Sequence, residues 1–234
     1  MRIPFTLDTD STASRSAIPG KEITIVHYEP PQQRRSQESL ERYLDAAEAI
    51  IRESGFGSLT LAEVARRAGY SIGGFYSRFA SKDALLGAVH ARFLARAEAA
   101  LKKELDAERE MHESLDGAVR RIVGVLTKRL LSEPELFRAF IVQGTVNPDA
   151  KARAEEANRV RRERVSAALL VHQDEIAHPN PSLAADFFYE MCMAILRERV
   201  VYGPDAEFMG RLPDDVLIAN LTQALSCYLR ARQP

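Results

Sequence analysis

Apolar residues recur three and four positions apart along most of this chain, which is the period of an amphipathic α-helix. The first such run begins at Arg34 and ends at Gly55, where glycine readily adopts the left-handed conformation that closes a helix. The apolar face of this run is formed by Leu40, Tyr43, Leu44, Ala47, Ile50 and Ile51. The pattern therefore predicts a long amphipathic helix as the first element.

Three N-capping signals follow this first helix. Thr60 and Glu63 have the spacing of a capping box, in which hydroxyl and carboxylate satisfy each other's free backbone donors, so a short helix is expected after Thr60. Ser71 is placed to cap a second short helix, and Ser81 to cap a long helix over residues 82–105. The first compact unit is therefore predicted as helix, short helix, tight turn, short helix and long helix.

Prolines divide the rest of the chain into further helices, because proline starts or ends a helix but rarely lies inside one. The predicted helices span residues 114–131, 135–143, 149–172, 183–201 and 214–230. Strand-like alternation is confined to residues 23–26, inside a segment 1–33 that is rich in Ser, Thr and Pro and predicts a mobile tail. The expected fold class is all-α.

The composition is that of an ordinary water-soluble protein. The chain has 234 residues, of which 46% are hydrophobic and 28% charged, and its formal net charge is -1. It begins without the apolar segment of a signal peptide, and no uncharged run approaches the roughly 20 residues that span a bilayer, so we expect a cytoplasmic protein with no membrane partner. Cys192 and Cys227 are too far apart for a zinc knuckle and too few for a disulfide framework, and we expect both to be buried thiols on helices.

Two short helices joined by a tight turn and packed against a preceding helix form a helix-turn-helix, whose second helix enters the DNA major groove. Gly73 and Gly74 lie near the start of the second short helix, and their lack of a side chain permits close approach of the backbone to DNA. The alternative is that the two glycines form a plain turn. Phe75 and Phe79 keep helical spacing and are expected in the core.

Local charge supports DNA binding even though the whole chain is nearly neutral. The segment around the two short helices holds four basic residues and one acid, and two more basic residues lie just upstream. Such side chains neutralise phosphates and supply affinity without sequence information. The basic residues are Arg66, Arg67, Arg78 and Lys82 in the segment, with Arg34 and Arg35 upstream.

The run from Leu59 to Leu85, LTLAEVARRAGYSIGGFYSRFASKDAL, resembles the DNA-binding signature of TetR-type transcriptional regulators. In that family a Thr opens the second helix, an Ala-Gly pair makes the turn, a Gly and a Tyr lie in the recognition helix, and a Phe-x-Ser-Lys-Glu-like run opens the fourth helix. All of these features are present here. The departures are Tyr70, Gly74 and Arg78, which stand where a small aliphatic, Thr or Ala, and His are common; they affect operator preference more than membership.

The resemblance implies roles for individual residues. Phosphate contacts are expected from Thr60, Tyr76 and Lys82, and base-edge contacts from the recognition helix. For the latter we predict Ser71, Ile72 and Gly73, with Tyr70 touching bases or sugar, Gly74 beside them and Arg67 reaching in from the second helix. No recognition-helix residue can make the bidentate guanine contact that arginine makes.

The C-terminal half has two strongly apolar helices. Residues 187–196 are apolar around nearly the whole helix, which predicts burial on more than one side, and the last predicted helix carries a similar stripe. Two such helices from each chain would close a four-helix interface, which resembles how this family forms homodimers. The alternative is that both helices only fill the core of one monomer.

The resemblance also implies a cavity between the middle helices that binds a largely apolar effector. The candidate lining residues are Phe137, Phe140, Ile141, Phe188, Met191 and Met193. Glu190 is a carboxylate in an apolar run, so it either pairs with an arginine or anchors a ligand cation. His172 is another candidate anchor, although a histidine at a helix end usually meets free carbonyls. The charged run 151–164 has the pattern of a solvated face.

The leading hypothesis is a ligand-responsive, homodimeric DNA-binding regulator, most often a repressor in such families, that leaves a palindromic operator when a small molecule binds. Its expected parts are residues 34–82 for DNA binding and residues 83–234 for ligand binding and dimerisation. Alternatives are a helical scaffold that binds only protein, an activator, and a regulator without an effector. We expect no enzyme, no cofactor and no metal site, since the histidines share no motif and the sequence shows no nucleophile elbow or phosphate loop.

Overall fold

The computed structural model describes residues 34–106, 113–203 and 212–231, and this part of the chain is helical throughout, without a strand. The helices are α1 Arg34–Ser54, α2 Leu61–Ala68, α3 Ile72–Tyr76, α4 Lys82–Asp106, α5 Leu115–Ser132, α6 Pro134–Val146, α7 Pro148–Leu170, α8 Pro181–Tyr202 and α9 Asp214–Arg230, with 3-10 turns at Phe56–Ser58 and Gln173–Glu175. The predicted all-α fold class is confirmed. The predicted tail, residues 1–33, lies outside the described residues.

Helix boundaries follow the capping chemistry, with one systematic difference from the sequence prediction. Pro134, Pro148 and Pro181 are themselves the first helical residues, so these helices begin one or two residues earlier than predicted. Proline suits that position because its missing N–H has no intrahelical partner there and its fixed φ matches the helix. At the other end, α7 stops at Leu170, which leaves His172 just beyond the helix rather than inside it.

The described residues form two hydrophobic cores, and the first joins the N-terminal helices to α6. Phe75 and Phe79 are fully buried in it, which confirms their predicted core position. The core also takes in the first half of α4 as far as Phe93, and Leu136 and Phe140 from α6. The N-terminal helices therefore share a continuous packed interior with a helix of the C-terminal half.

The second core lies among α5, α7, α8 and α9 and includes Phe188 and Cys192. Burial raises the pKa of the Cys192 thiol to about 12. The prediction that both cysteines are buried is wrong for Cys227, which is exposed. The reason is its position on α9, where the buried residues are Leu221, Leu225 and Leu229 and Cys227 falls outside that stripe. None of the helices in the described residues is long and apolar enough to cross a membrane.

A buried carboxylate connects the N-terminal helices to the start of α6. Glu48 of α1 is almost fully buried and accepts hydrogen bonds from Arg92 Nε at 2.9 Å, Arg96 Nη1 at 2.7 Å and Arg52 Nη2 at 2.6 Å. Arg52 also donates to Glu133, directly before α6, at 2.5 Å. Burial raises the pKa of Glu48, but hydrogen bonds and charge from Arg96 and Arg92 outweigh it and hold the pKa below its usual value. This network adds polar links between α1, α4 and α6.

Candidate nucleic-acid interface and ligand cavity

The turn between α2 and α3 is built by three local signals. Thr60 Oγ1 accepts a hydrogen bond from the Glu63 N–H at 3.3 Å and caps α2. Gly69 ends α2 in the left-handed conformation, with φ 79°, which glycine adopts without steric penalty. Ser71 Oγ then accepts from the Gly74 N–H at 3.1 Å and caps α3. Both hydroxyl caps are confirmed, and the two capped helices form a helix-turn-helix. The reciprocal half of the predicted capping box is not formed, because the Glu63 carboxylate accepts from Arg66 and Arg67 instead.

The outer face of α3 is open to solvent. Ile72 is 47% exposed and Tyr76 57% exposed, whereas Phe75 between them is buried. The sequence-predicted contact residues that lie exposed together on this surface are Tyr70, Ser71, Ile72, Gly73 and Tyr76. Arg34 and Arg35 are the first two residues of α1. The structure thus presents one continuous surface on the second helix of the motif, as a groove-binding helix requires.

The two adjacent glycines of α3 face different surroundings. Gly73 is exposed, and a Cβ added there would meet nothing nearer than Ser71 Oγ at 3.8 Å. A Cβ on Gly74 would instead lie 3.2 Å from the hydroxyl of Tyr43 in α1. Tyr43 is 1% exposed, and its ring centroid lies 5.2 Å from that of Tyr70. Gly74 therefore allows α3 to pack closely on α1, and only Gly73 lies bare on the outer face.

The hydroxyl of Tyr43 is buried without a hydrogen-bond partner among the described residues. Burial and the neighbouring Tyr70 raise the pKa of this phenol, and the charge of Arg78 opposes the rise. The ring packs edge-on against Phe75 at 5.7 Å and Phe79 at 6.0 Å. This aromatic packing fixes the position of α3 against α1.

The arginines of α2 are already engaged within the protein. Arg66 donates to Glu63 through two nitrogens, at 2.8 and 2.7 Å. Arg67 donates to Glu63 at 2.7 Å and to Glu53 of α1 at 2.6 Å. These hydrogen bonds, first from Arg66 and then from Arg67, lower the pKa of Glu63 to about 2. Sequence counting missed Glu53, which lies too far upstream to be read as part of the basic segment.

Arg78 and Lys82 keep their positive charge available because their partners are neutral. Arg78 donates to the hydroxyl groups of Ser36 at 2.6 Å and Ser39 at 2.7 Å. Lys82 Nζ donates to the Leu59 carbonyl at 2.5 Å. Both side chains are partly buried and held in place by these hydrogen bonds, so their positive charges, which no carboxylate of the described residues neutralises, are fixed close to the protein surface.

A cavity of about 540 Å³ lies among α4, α6, α7 and α8. Four of the residues predicted from the sequence line it: Phe137, Phe140, Ile141 and Met193. Its volume and its mixture of apolar side chains with a few polar groups are typical of small-molecule sites.

The other predicted ligand residues lie elsewhere. Phe188 is fully buried in the second core. Glu190 and Met191 are exposed on the outside of α8, so the carboxylate of Glu190 is solvated rather than buried in an apolar run. His172 lines a separate cavity of about 170 Å³.

The polar wall of the 540 Å³ cavity was not predicted from the sequence. Lys151, Glu155, Asn158 and Arg161 of α7 line it, so the charged run of α7 is not simply the solvated face that we predicted. These residues are spaced three and four apart, which places them on one side of the helix. The spacing was present in the sequence, but other charged residues of the run 151–164 surround these four, so they were not recognised as one side of the helix.

His90 of α4 is the most buried polar residue of this cavity. It is 1% exposed, and its ring stacks on Phe140 with centroids 4.3 Å apart. Burial, followed by the charges of Arg153 and Arg161, lowers the pKa of His90 to about 4. The ring is therefore neutral at neutral pH, and its Nδ1 atom has no hydrogen-bond partner among the described residues.

An apolar stripe remains uncovered where α8 and α9 lie side by side. Leu183, Phe187 and Met191 recur four residues apart along α8, and Phe187 is 41% exposed. Phe187 contacts Tyr228 of α9 with ring centroids 4.9 Å apart, so the exposed surface continues onto α9, where Val216 is also exposed. Within one monomer this side of α8 is uncovered, and its burial by a second copy stays a prediction.

Comparison with known proteins places both halves of the chain in one group. Residues 44–89 match the family model of bacterial regulatory proteins of the tetR family, and residues 114–229 match that of the tetracyclin repressor-like C-terminal domain. No protein of the curated set matches the chain significantly.

Solved structures share the fold at low sequence identity. A protein assigned to the TetR-family transcriptional regulators of Mesorhizobium loti superimposes with a TM-score of 0.66 at 21% identity, covering 84% of this chain and 98% of that one. A transcriptional regulator of Rhodococcus sp. RHA1 gives 0.58 at 21% identity, covering 82% and 94%. The fatty acid degradation regulator FadR of Bacillus halodurans gives 0.59 at 18% identity, covering 83% and 97%.

Proposed function

The chain belongs to the TetR family of bacterial DNA-binding transcriptional regulators, and from this membership we propose that it is a homodimeric repressor released from a palindromic operator by a small molecule. Residues 34–82 serve as the DNA-binding domain in this proposal, and residues 83–234 bind the effector and form the dimer. Regulators of this family are generally not enzymes, and we propose the same for this chain, acting in the cytoplasm on a double-stranded DNA operator.

The exposed face of α3 is the observation that carries the proposal. Ile72 can meet a thymine methyl group, and Ser71 can bond to either type of base pair, while the bare backbone at Gly73 permits close approach. Tyr76, Thr60 and Lys82 are proposed to contact phosphates, which position the helix without reading sequence. Ser71 and Lys82 each have an internal hydrogen bond, so DNA contact by either would share or replace that bond.

Selection of bound sequences from a random duplex pool tests the proposal, using the purified full-length protein. We expect an enriched inverted repeat, with affinity falling steeply as salt rises. Ile72→Ala and Tyr76→Ala should weaken binding to the selected operator by about tenfold each, because each loses an exposed contact on α3. Val171→Ala, which also truncates an exposed apolar residue but lies after α7, is the matched control and should bind as the wild type does. No enrichment at low salt, or equal binding by all variants, contradicts operator binding through α3.

The uncovered stripe of α8 and α9 supports the homodimer. An exposed apolar face of this kind is buried when the same face of a second copy packs on it, which forms a four-helix interface with twofold symmetry. Phe187→Arg places a charge in the centre of that stripe and should give monomers that bind the operator poorly. Val171→Arg adds the same charge at another exposed apolar position and should leave the dimer intact. Sedimentation analysis separates the outcomes, and a dimeric Phe187→Arg protein would refute this interface.

Helix α6 provides a physical route from the cavity to the DNA-binding domain. Phe137 and Ile141 line the cavity, and Leu136 on the same helix packs in the N-terminal core. Glu133, directly before α6, is bonded to Arg52 of α1. An effector that prefers a displaced α6 would thus shift the population toward a dimer with wrongly spaced recognition helices, by no more than its differential affinity for the two forms. Equal operator affinity with and without bound effector would exclude this control.

A further inference from the structure

The 540 Å³ cavity among α4, α6, α7 and α8 has an apolar inner wall and a charged mouth. Phe93 of α4, Phe140 of α6 and Met193 of α8 are buried on its inner side. Lys151 and Arg197 are exposed and lie where the cavity meets solvent. A molecule that fills the cavity therefore meets apolar side chains with its body and charged side chains with its outer end.

Arg161 and Arg197 are the two arginines that line this cavity, and neither has a carboxylate partner among the described residues. On α7, Arg159 pairs with Glu156 at 2.6 Å, and on α8, Arg199 pairs with a carboxylate of α9 at 2.6 Å. Across residues 34–106, 113–203 and 212–231, no carboxylate lies within ion-pair distance of Arg161 or Arg197. Arg161 bonds only to a carbonyl of its own helix, through Nε at 3.1 Å, which leaves the two terminal nitrogens for another partner.

The guanidinium groups of Arg161 and Arg197 line the same cavity from two helices. Tyr189 donates a hydrogen bond to Asn158 Oδ1 at 2.8 Å, and Asn158 lines the cavity. Burial raises the pKa of Tyr189, and the charges of Arg161 and then Arg197 oppose the rise. Arg161 of α7 and Arg197 of α8 line the same cavity as Asn158.

The carboxylate of Glu155 at the cavity mouth does not neutralise Arg161 and Arg197. Glu155 lines the cavity but is exposed, and its carboxylate pairs with Lys151 at 3.7 Å. The charge that Glu155 carries is therefore matched by Lys151, while Arg161 and Arg197 remain as an excess of positive charge.

His90 belongs to the apolar inner wall of the cavity. Its ring stacks on Phe140, and burial holds its pKa at about 4, so the ring is uncharged at neutral pH and the inner wall carries no charge at this position.

We propose that the cavity binds an organic carboxylate with an apolar body, whose carboxylate lies between Arg161 and Arg197 and whose body packs against Phe93, Phe137 and Phe140. This inference rests on the proposed function, because it names the chemical class of the effector. A planar guanidinium matches the two oxygens of a carboxylate, and such charge-assisted hydrogen bonds are among the stronger ones in proteins.

Calorimetric titration of the full-length protein with matched probes tests the proposal. The probes are phenylbutyrate, phenylbutanol and phenylbutylamine, together with octanoate, octanol and octylamine, so that the head group changes while the apolar body stays constant. We expect each acid to bind at least about tenfold more tightly than its alcohol, since a hydrogen bond to a charged group is worth more than one to a neutral group. The amines should bind more weakly than the alcohols, because the arginines repel them.

Variants locate the head group. Arg161→Gln should lower the affinity for both acids by about tenfold and leave the affinity for the alcohols unchanged. Arg197→Gln is the second variant and gives the same comparison if Arg161→Gln does not fold. Arg159→Gln removes an arginine of α7 that is paired and does not line the cavity, so it should bind the acids as the wild type does. Equal affinity for acid and alcohol, unchanged acid affinity in both cavity variants, or no binding of any probe would overturn the proposal.

Operator binding is measured separately with the same samples. An acid that binds as predicted without changing operator affinity supports the carboxylate site and contradicts effector control. Operator binding by a protein that binds no probe contradicts the carboxylate site and leaves the DNA-binding regulator standing. The two failures are thus distinguishable.

Discussion

Replacing Gly74 with alanine should destabilise the protein, whereas the same replacement at Gly73 should stabilise it. Both residues lie in α3, where alanine gains about 1 kcal/mol over glycine through helix propensity. A Cβ on Gly73 finds open space, with its nearest neighbour at 3.8 Å, so the gain is retained. A Cβ on Gly74 lies 3.2 Å from the hydroxyl of Tyr43, which is closer than a comfortable contact.

The expected size of the effect follows from how Tyr43 is held. Its ring is buried among Tyr70, Phe75 and Phe79, so it cannot move away freely. Overpacking of this kind costs about 1–3 kcal/mol, and after the propensity gain the Gly74→Ala protein should lose about 1 kcal/mol of its free energy of unfolding. Tyr43→Phe removes the offending hydroxyl, and because that group has no partner among the described residues its loss should be neutral or stabilising.

A double-mutant cycle measures this contact directly. In the Tyr43→Phe background, Gly74→Ala should gain about 1 kcal/mol instead of losing it, which is a coupling energy of about 2 kcal/mol. Equilibrium unfolding in urea at one fixed protein concentration gives the values, since the apparent stability of a dimer depends on concentration. If Gly74→Ala stabilises the wild-type background as much as Gly73→Ala does, the close packing of α3 on Tyr43 is not what requires the glycine.

The cycle also separates packing from DNA contact. Gly73→Ala should be more stable yet bind the selected operator less tightly, because its methyl group stands between the helix and the groove. The Tyr43→Phe/Gly74→Ala protein should bind as the wild type does. A Gly73→Ala protein with undiminished operator affinity would show that the groove does not need a bare backbone there.

Three further predictions concern groups away from this contact. The pKa of His90 is about 4 in the folded state and about 6.5 in the unfolded state, so protonation favours the unfolded chain. The free energy of unfolding should therefore be highest above about pH 6.5 and should fall by about 2 kcal/mol between about pH 7 and about pH 5. Unfolding curves of His90→Phe should lack most of that loss, and an unchanged slope would refute the assignment. Glu48→Gln should lower the free energy of unfolding by about 2 kcal/mol, because partly buried arginines lose a charged acceptor. An unchanged free energy of unfolding in urea would mean that water screens this network. Thr60→Ala removes the cap of α2 and should cost about 1 kcal/mol in the same assay, and a smaller effect than Ser58→Ala would contradict its capping role.

The parts of the fold that depend on neighbours in sequence were predictable. Thr60, Gly69 and Ser71 each act within about one helical turn, so their spacing alone indicated where α2 begins and ends and where α3 begins. Phe75 and Phe79 were predicted in the core because their spacing points them to one side of the chain.

The parts that depend on distant contacts were not predictable. Gly74 packs against Tyr43, and Arg67 pairs with Glu53 in addition to Glu63 of its own helix; Tyr43 and Glu53 both lie on α1. Nothing in a single sequence states which helices touch, so the reason for Gly74 and the neutralisation of Arg67 came only with the structure.

The candidate cavity shows the same division. Its apolar wall was predicted in part, through Phe137, Phe140 and Ile141, because apolar residues in the middle helices are natural lining candidates. Its polar wall on α7 was taken for a solvated surface, since charge on a helix face usually means exposure. Arg161 differs from Arg159 and Arg164 of the same helix in lining the cavity without a carboxylate partner among the described residues, and that difference exists in space rather than in sequence.

The contrast between the two cysteines gives the unmodified chain a single reactive thiol. Thiols react as thiolates, and Cys192 stays protonated at neutral pH because burial raises its pKa to about 12. Cys227 faces solvent on α9. A maleimide dye or spin label will therefore attach at one known position per chain without any engineered cysteine. In a pair of chains, the distance between two such labels becomes a spectroscopic ruler for whatever rearrangement an effector or an operator imposes.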